Sequence, residues 1–480
     1  MSRAARNYAL IFFGCLVFHL AGTWSLPLID RDEPRFAEAS REMRERQDFV
    51  VPFFNNEYRF DKPPLTYWAQ VASYKIFGEN DFAARFPTAI AGALTAMVLF
   101  AWGRRLADAT IGWWAAAIFT VCLQTFVHGK AAVADMWLVL FVTLAHFAGW
   151  RWRTADRSDS ESQKSIFAFY FWQGFAFLAK GPIGLVPILT MIFSGARGRP
   201  AREETGSRRM SLHFAGAVLM LAIICAWGVP ALIRTHGEFW RVGMGKHVVA
   251  RSIATMEGHG ASSPLMYVAL LPFYFVTVFA SFFPWSLKLP SLLRQLRQRC
   301  DVTDKFLLIG VAIIFGIFTL VKTKLPHYTL PAFPLLALLM ARHAAALKLS
   351  RNSAVAVATF LLLFALVAPP LSARYFPTYQ LARDAAARLT PETAIASIEF
   401  NEPSLVWYFR ARSHRFVEAI RKKDAAEFMT SDGPRALILP TDAAARIFPN
   451  PDPAWSRAET TGFNIPKGQR ANLTLLLKPR

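Results

Sequence analysis

Long apolar stretches recur along this chain, separated by short loops rich in arginine, and that alternation constrains the fold more than any single motif. Crossing about 30 Å of hydrocarbon takes about 20 apolar residues of helix. Stretches near that length run over residues 8–28, 83–102, 110–127, 132–150, 166–193, 212–233, 265–285, 306–320, 329–341 and 355–371. The predicted fold is therefore mainly α, a polytopic transmembrane helical bundle, and with 166–193 counted as two limbs it has about eleven spans. The first stretch follows a short basic start at Arg3 and Arg6 and lacks a convincing small-residue cleavage site, so it is read as a retained helix.

Charge sets the topology. Lys and Arg number 54 against 33 Asp and Glu, a formal net charge of +21 that would suggest nucleic acid in a soluble chain. Here the positive residues collect between apolar stretches, at Arg104 and Arg105, Arg151 and Arg153, Arg197 to Arg209, Lys288 to Arg299, and Arg342 to Arg351. All these loops can be cytoplasmic at once, which is the positive-inside bias, and nucleic-acid binding is excluded as a reading. The stretch 166–193 has basic flanks on both sides and Lys180-Gly181-Pro182 in its middle, so it is expected to be a hairpin with Lys180 at its tip.

With that hairpin, nearly every unusual polar residue falls on the opposite face. These are the first loop, about 29–82, the turn His128-Gly129-Lys130 with Asp135 just beyond, Lys180, the loop 234–263, and the turn 322–328. Charge at a bilayer boundary is costly unless solvated, paired or functional, so this face is the candidate reaction side. The four cysteines, Cys15, Cys122, Cys225 and Cys300, form no CxxC pair and read as packing residues. Residues 372–480 turn soluble, with extended runs alternating with helical patterns, and are expected to form a small extracytoplasmic α/β domain beside the transmembrane part, 1–371.

Several segments, in order, resemble the polyprenyl-phosphate-dependent glycosyltransferases of the GT-C type, which include bacterial aminoarabinose transferases acting on lipid A and protein O-mannosyltransferases. They are Arg31-Asp32-Glu33-Pro34-Arg35, Phe60-Asp61-Lys62-Pro63-Pro64, Arg85-Phe86-Pro87, Asp135, Lys180-Gly181-Pro182, Glu257-Gly258-His259-Gly260 and Lys324-Leu325-Pro326-His327-Tyr328. The set covers roughly the first three quarters of the chain. The resemblance implies a polyprenyl-phosphate-linked sugar as donor and a juxtamembrane site in a bacterial inner membrane. It also implies a glycolipid or glycan acceptor on the extracytoplasmic side, lipid A-like or a polysaccharide. Asp32 matches the family's first-loop acidic residue that acts as catalytic base, with Asp135 as a second catalytic candidate.

Chemically, an acceptor hydroxyl is a poor nucleophile and the anomeric carbon must lose a phosphate, so such a site wants a carboxylate on one side and cations on the other. Asp32 would take the hydroxyl proton as the bond forms, and one displacement implies inversion. Lys62, Arg251, Lys324 and Tyr328 are the candidates for the donor phosphate. Arg85, Lys130 and Lys180 are weaker ones, for which interfacial snorkelling is the plain alternative. A divalent metal is a candidate cofactor, with Asp61, Glu257 and His259 as the tentative ligands and His247 and His327 on the same face, although the spacing is not diagnostic and Asp61 stands where the aminoarabinose transferases carry Glu. For Asp32 the structural alternative is a helix cap. Two other functions compete. A protein O-mannosyltransferase-like enzyme differs only in acceptor, whereas a lipid-linked sugar transporter would place its charges at the bilayer midplane and often shows repeated halves.

Overall fold

The computed structural model describes residues 2–155, 160–195, 206–243, 245 and 263–479. Contacts divide the chain into two compact units that are not consecutive halves: residues 1–20, 60–66 and 87–362 make the first, and residues 21–59, 67–86 and 363–480 the second.

The first unit is helical. Its helices are α1 (Arg3–Leu20), most of α4 (Asp81–Leu106), α5 (Ala109–Val121), α6 (Leu123–His128), α7 (Asp135–Thr154), α8 (Ser160–Lys180), α9 (Val186–Phe193), α10 (Gly206–Arg234), α11 (Pro264–Ala269), α12 (Phe273–Ser281), α13 (Leu289–Gln298), α14 (Val302–Leu320), α15 (Phe333–Arg342) and the start of α16 (Arg351–Ser372). Small residues let them approach: Ala93, Ala96 and Ala116 pack with Ile11, Cys15 and Phe100, and Gly103 meets the backbone of Gly112 where α4 crosses α5. Asp108 starts α5 by accepting from the amides of Thr110 and Ile111, and Asp301 with Asp304 forms a capping box on α14.

By length and apolarity, five helical stretches are able to cross a bilayer among the described residues: Asp81–Leu106, Ser160–Phe193, Met210–Arg234, Val302–Leu320 and Arg351–Tyr375. A sixth arises if Phe273–Ser281 and Trp285–Gln298, which meet at 117°, count together. Other apolar stretches form short helices, such as the 13 residues of α5 and the 10 of α15.

Ser160–Phe193 is largely apolar from Ile166 onward but is not one straight rod. Gly184 lies against the backbone of Ala176, and Met191 sits with Phe169 beside Gly149. In a straight helix, residues 169 and 191 would stand about 33 Å apart at 1.5 Å per residue. The chain reverses at Lys180-Gly181, where Gly181 takes φ +77, a left-handed conformation that a side chain would oppose.

The second unit joins the first loop to the C-terminal segment. Its sheet has the order β4-β3-β5-β7-β6, built from β3 (Ala394–Ser397), β4 (Val417–Ala419), β5 (Arg435–Pro440), β6 (Ser456–Asn464) and β7 (Gln469–Lys478). Strands β3, β4 and β5 are parallel, while β7 runs antiparallel to both β5 and β6. The parallel part needs crossover helices, α18 (Pro403–Ser413) and α19 (Ala425–Thr430), and both faces are covered. Leu473, Leu475 and Leu477 pack on the face that holds α18 and α17 (Pro377–Ala385). Leu476 points to the face of α19 and α20 (Thr441–Ile447), which is the period-two alternation of a strand.

Helix α2 (Asp32–Arg46) belongs to this unit and is polar in sequence, yet ten of its fifteen residues are buried. It is held by ion pairs. Glu38 binds Arg410 at 2.5 Å and Arg41 at 2.9 Å, and Arg41 lies 4.0 Å over the Trp407 ring. After it, β1 (Phe53–Phe54) and β2 (Glu57–Tyr58) form a hairpin whose turn residues Asn55 and Asn56 both have positive φ. The Asn55 side chain then pairs with the backbone of Val417 in both directions, covering the edge strand β4.

Candidate active site

In the first unit, three segments bring their polar ends together. Helix α7 opens on Asp135, which is 7% exposed, and the hairpin tip presents Lys180 to it, with Nζ donating to Oδ1 at 2.5 Å. His128 closes α6, and His327 stands in the 3₁₀ turn Pro326–Ala332 next to Tyr328. Ligand atoms of His128, Asp135 and His327 all lie within 4.8 Å of one another. The Lys180 ammonium stands 5.6 Å over the Tyr328 ring. Burial pushes the His327 imidazole down to about 3, against the pull of Asp135, and positive charge at His128, Lys180 and Lys62 adds to the lowering. Lys62 is thus part of the same electrostatic neighbourhood.

The expected phosphate ligands differ in their surroundings. Lys62 is half-buried and donates to its neighbour's carbonyl, Asp61 O, at 3.1 Å. Lys324 is buried, donates to Phe318 O and Thr319 O at 3.0 and 2.6 Å, and so caps the C-terminal carbonyls of α14, while burial lowers its ammonium pKa. Tyr328 is buried with its ring 5.0 Å from Phe318. Lys130 caps α1 through Phe18 O and His19 O at 2.6 and 3.1 Å, a structural role more specific than snorkelling. Arg251, Glu257 and His259 lie outside the described residues, so of the expected metal ligands only half-buried Asp61 is placed.

Asp32 belongs to the second unit, where three acids sit within four residues and behave differently. Asp30 accepts from Ser404 N at 2.8 Å and Ser404 Oγ at 2.5 Å, and burial pushes its carboxyl up to about 7 despite those bonds. Glu33 takes a two-pronged bond from Arg85, at 2.8 and 2.7 Å, and one from Ile29 N at 2.8 Å. Arg85 is 1% exposed and also donates to the carbonyls of Thr23, Leu26 and Pro27, so it knits the loop before α2. Asp32 is exposed, and no hydrogen-bond partner for its carboxylate occurs among the described residues. It is not the N-cap either: that position is Arg31, which makes no side-chain cap bond.

The sequence reading missed how far the charges of α2 serve each other, and although it put His128 on the same face as Asp135 it did not single it out as a site residue. A charge-rich helix beside a membrane carries no local mark that its partners stand some 370 residues away, as Arg410 does for Glu38. For His128, the only signal was its place in the turn preceding Asp135.

Residues 61–228, which include Lys62, Asp135 and Lys180, match the family model for dolichyl-phosphate-mannose-protein mannosyltransferase. The chain is 33% identical over 318 residues to the undecaprenyl phosphate-alpha-4-amino-4-deoxy-L-arabinose arabinosyl transferase 2 of Sodalis glossinidius, covering 65% of this chain and 55% of that protein. It is 30% identical over 319 residues to the corresponding transferase of Edwardsiella ictaluri, covering 65% and 54%. The chain therefore spans about half the length of these curated relatives. Its fold is similar to that of ArnT from Cupriavidus metallidurans bound to undecaprenyl phosphate, with a TM-score of 0.73 at 19% identity and 98% of each chain covered. Over residues 61–228 in sequence, and in fold along nearly the whole chain, this protein is similar to polyprenyl-phosphate-dependent glycosyltransferases of the GT-C type.

Proposed function

We propose that this protein is an inverting glycosyltransferase of the bacterial inner membrane, moving a sugar from a polyprenyl phosphate to a lipid A-like glycolipid or a polysaccharide outside the cytoplasm. The observation that carries the reading is a coincidence of sequence and geometry. The family match over 61–228 contains Lys62, Asp135 and Lys180, and these residues share one polar neighbourhood with His327 and Tyr328. The curated relatives are named for transfer from undecaprenyl phosphate, which supports the donor class.

In this reading residues 1–371 form the catalytic membrane part with about eleven crossings, and 372–480 an extracytoplasmic α/β domain. The exposed Asp32 carboxylate accepts the acceptor hydroxyl proton as the glycosidic bond forms. Lys62, Arg251, Lys324 and Tyr328 bind the departing phosphate, whose charge grows as the anomeric bond breaks. Asp135, fixed by Lys180, is the second catalytic carboxylate. A divalent ion on Asp61, Glu257 and His259 would add positive charge at the phosphate.

The matched family model, described by a protein acceptor, favours one second reading, transfer to a protein hydroxyl. The test is transfer in proteoliposomes with extracted polyprenyl-phosphate sugars and either lipid A or envelope protein as acceptor. The proposal expects labelled lipid or polysaccharide. Labelled protein would replace the acceptor, and movement of donor across the bilayer without transfer would replace the enzyme by a transporter.

A further inference from the structure

His128, Asp135 and His327 come from three separate segments, yet their ligand atoms converge within 4.8 Å. The two imidazole rings stand 4.9 Å apart between centroids at a tilt of 34°. Ligands about 2 Å from a tetrahedral zinc lie about 3.3 Å from each other, so the three atoms need to close by no more than about 1.5 Å.

Two of the three are also held from behind. The Gln124 side-chain amide lies 2.8 Å from His128 Nδ1, one turn earlier on α6. Oxygen and nitrogen of such an amide exchange by a flip. With the oxygen facing the ring, Nδ1–H donates and the ring lone pair sits on Nε2, the outer-shell arrangement that metal-binding histidines use. Asp135 accepts from Lys180 Nζ at Oδ1.

We propose that His128, Asp135 and His327 form a divalent metal site. Two imidazoles and one carboxylate favour zinc, cobalt(II) or iron(II) over magnesium or calcium, which prefer all-oxygen shells. Among the described residues no fourth His, Cys, Asp or Glu joins them. That leaves a position open for water or an oxyanion, as in catalytic zinc sites. The site uses none of Asp61, Glu257 and His259, and it does not rest on the transfer reading, because metal binding is measured without any sugar.

The test uses the purified full-length chain, freed of its affinity tag and stripped with chelator, then titrated with cobalt(II) and followed by its visible d–d absorption. The zinc bound per chain is measured in parallel. About one equivalent is expected in wild type and in His236→Ala, a change at an exposed histidine that leaves the site intact. His128→Ala and His327→Ala should lose the cobalt spectrum, and Gln124→Ala should weaken affinity at least about tenfold. The metal-free melting temperature of Gln124→Ala should match wild type, which separates loss of binding from loss of fold. No binding by wild type, or equal binding by wild type and both histidine variants, overturns the site.

Discussion

The two units use charge in opposite ways. In the second, nearly every ionised group of α2 is tied to a partner within the unit: Glu33 to Arg85, Glu38 to Arg41 and Arg410, and Glu42 to the amides of Asn55 and Asn56. Asp32 is the exception. In the first unit, charges gather around one acid, Asp135, with Lys180 bonded to it, His128 and His327 beside it, and Lys62 acting on His327. A network of matched pairs builds a shape, whereas unlike groups converging on one point make a place for something else to bind. The density of charge in a loop is thus a poor guide to chemistry; how completely each charge is matched is a better one.

The sharpest way to break this comparison is to remove one member of a matched pair. Arg85→Met leaves Glu33 buried without its partner and should cost about 3–5 kcal/mol of stability, read by denaturant or thermal unfolding in detergent. A variant that unfolds like wild type would show that the pair does not build the second unit. Asp30 gives a smaller effect with a definite sign. Its folded pKa, about 7, lies above the ordinary 3.8, so its contribution to stability is full at low pH and is lost as pH rises from about 4 to about 7. Asp30→Asn cannot titrate, and its melting temperature relative to wild type should climb across that window. At about 1.4 kcal/mol per pKa unit, discounted for partial exposure, the change amounts to about 2 kcal/mol. A gap that is constant with pH would contradict the assignment. Smaller again, Lys130→Met should cost about 1.5 kcal/mol by leaving the last carbonyls of α1 uncapped, with sugar transfer unchanged in rate per folded molecule. Loss of transfer at full stability would move Lys130 from the frame into the site.

Much of this was legible in the sequence, and the failures have physical causes. The hairpin at Lys180-Gly181 followed from basic flanks and a glycine. Strands β3, β5 and β7 overlap the extended runs, because their central residues are covered on both faces and read as apolar stretches. Strand β6, Ser456–Asn464, was missed since its residues alternate between half-buried and exposed at the sheet edge and include Glu459 and three threonines and serines. The stretch 417–430 holds both β4 and α19, joined through a short 3₁₀ turn, so no single periodicity runs through it. The candidate acids were found as residue types in a loop, but not sorted. Glu33 and Asp32 are neighbours in sequence, and only the placement of Arg85 makes one a strut and leaves the other exposed.

Within the second unit the same contrast separates matched charges such as Glu38 from the exposed Asp32, which we propose as the base. The direct test is to measure the rate of sugar transfer and the melting temperature on the same proteoliposome preparations of wild type, Asp32→Asn and Glu38→Gln. The account predicts that Asp32→Asn keeps its melting temperature and loses transfer by about 100-fold or more, the usual worth of a positioned base, while Glu38→Gln melts earlier. Transfer by Asp32→Asn at the wild-type rate would contradict it and make that exposed carboxylate an ordinary first-turn acid.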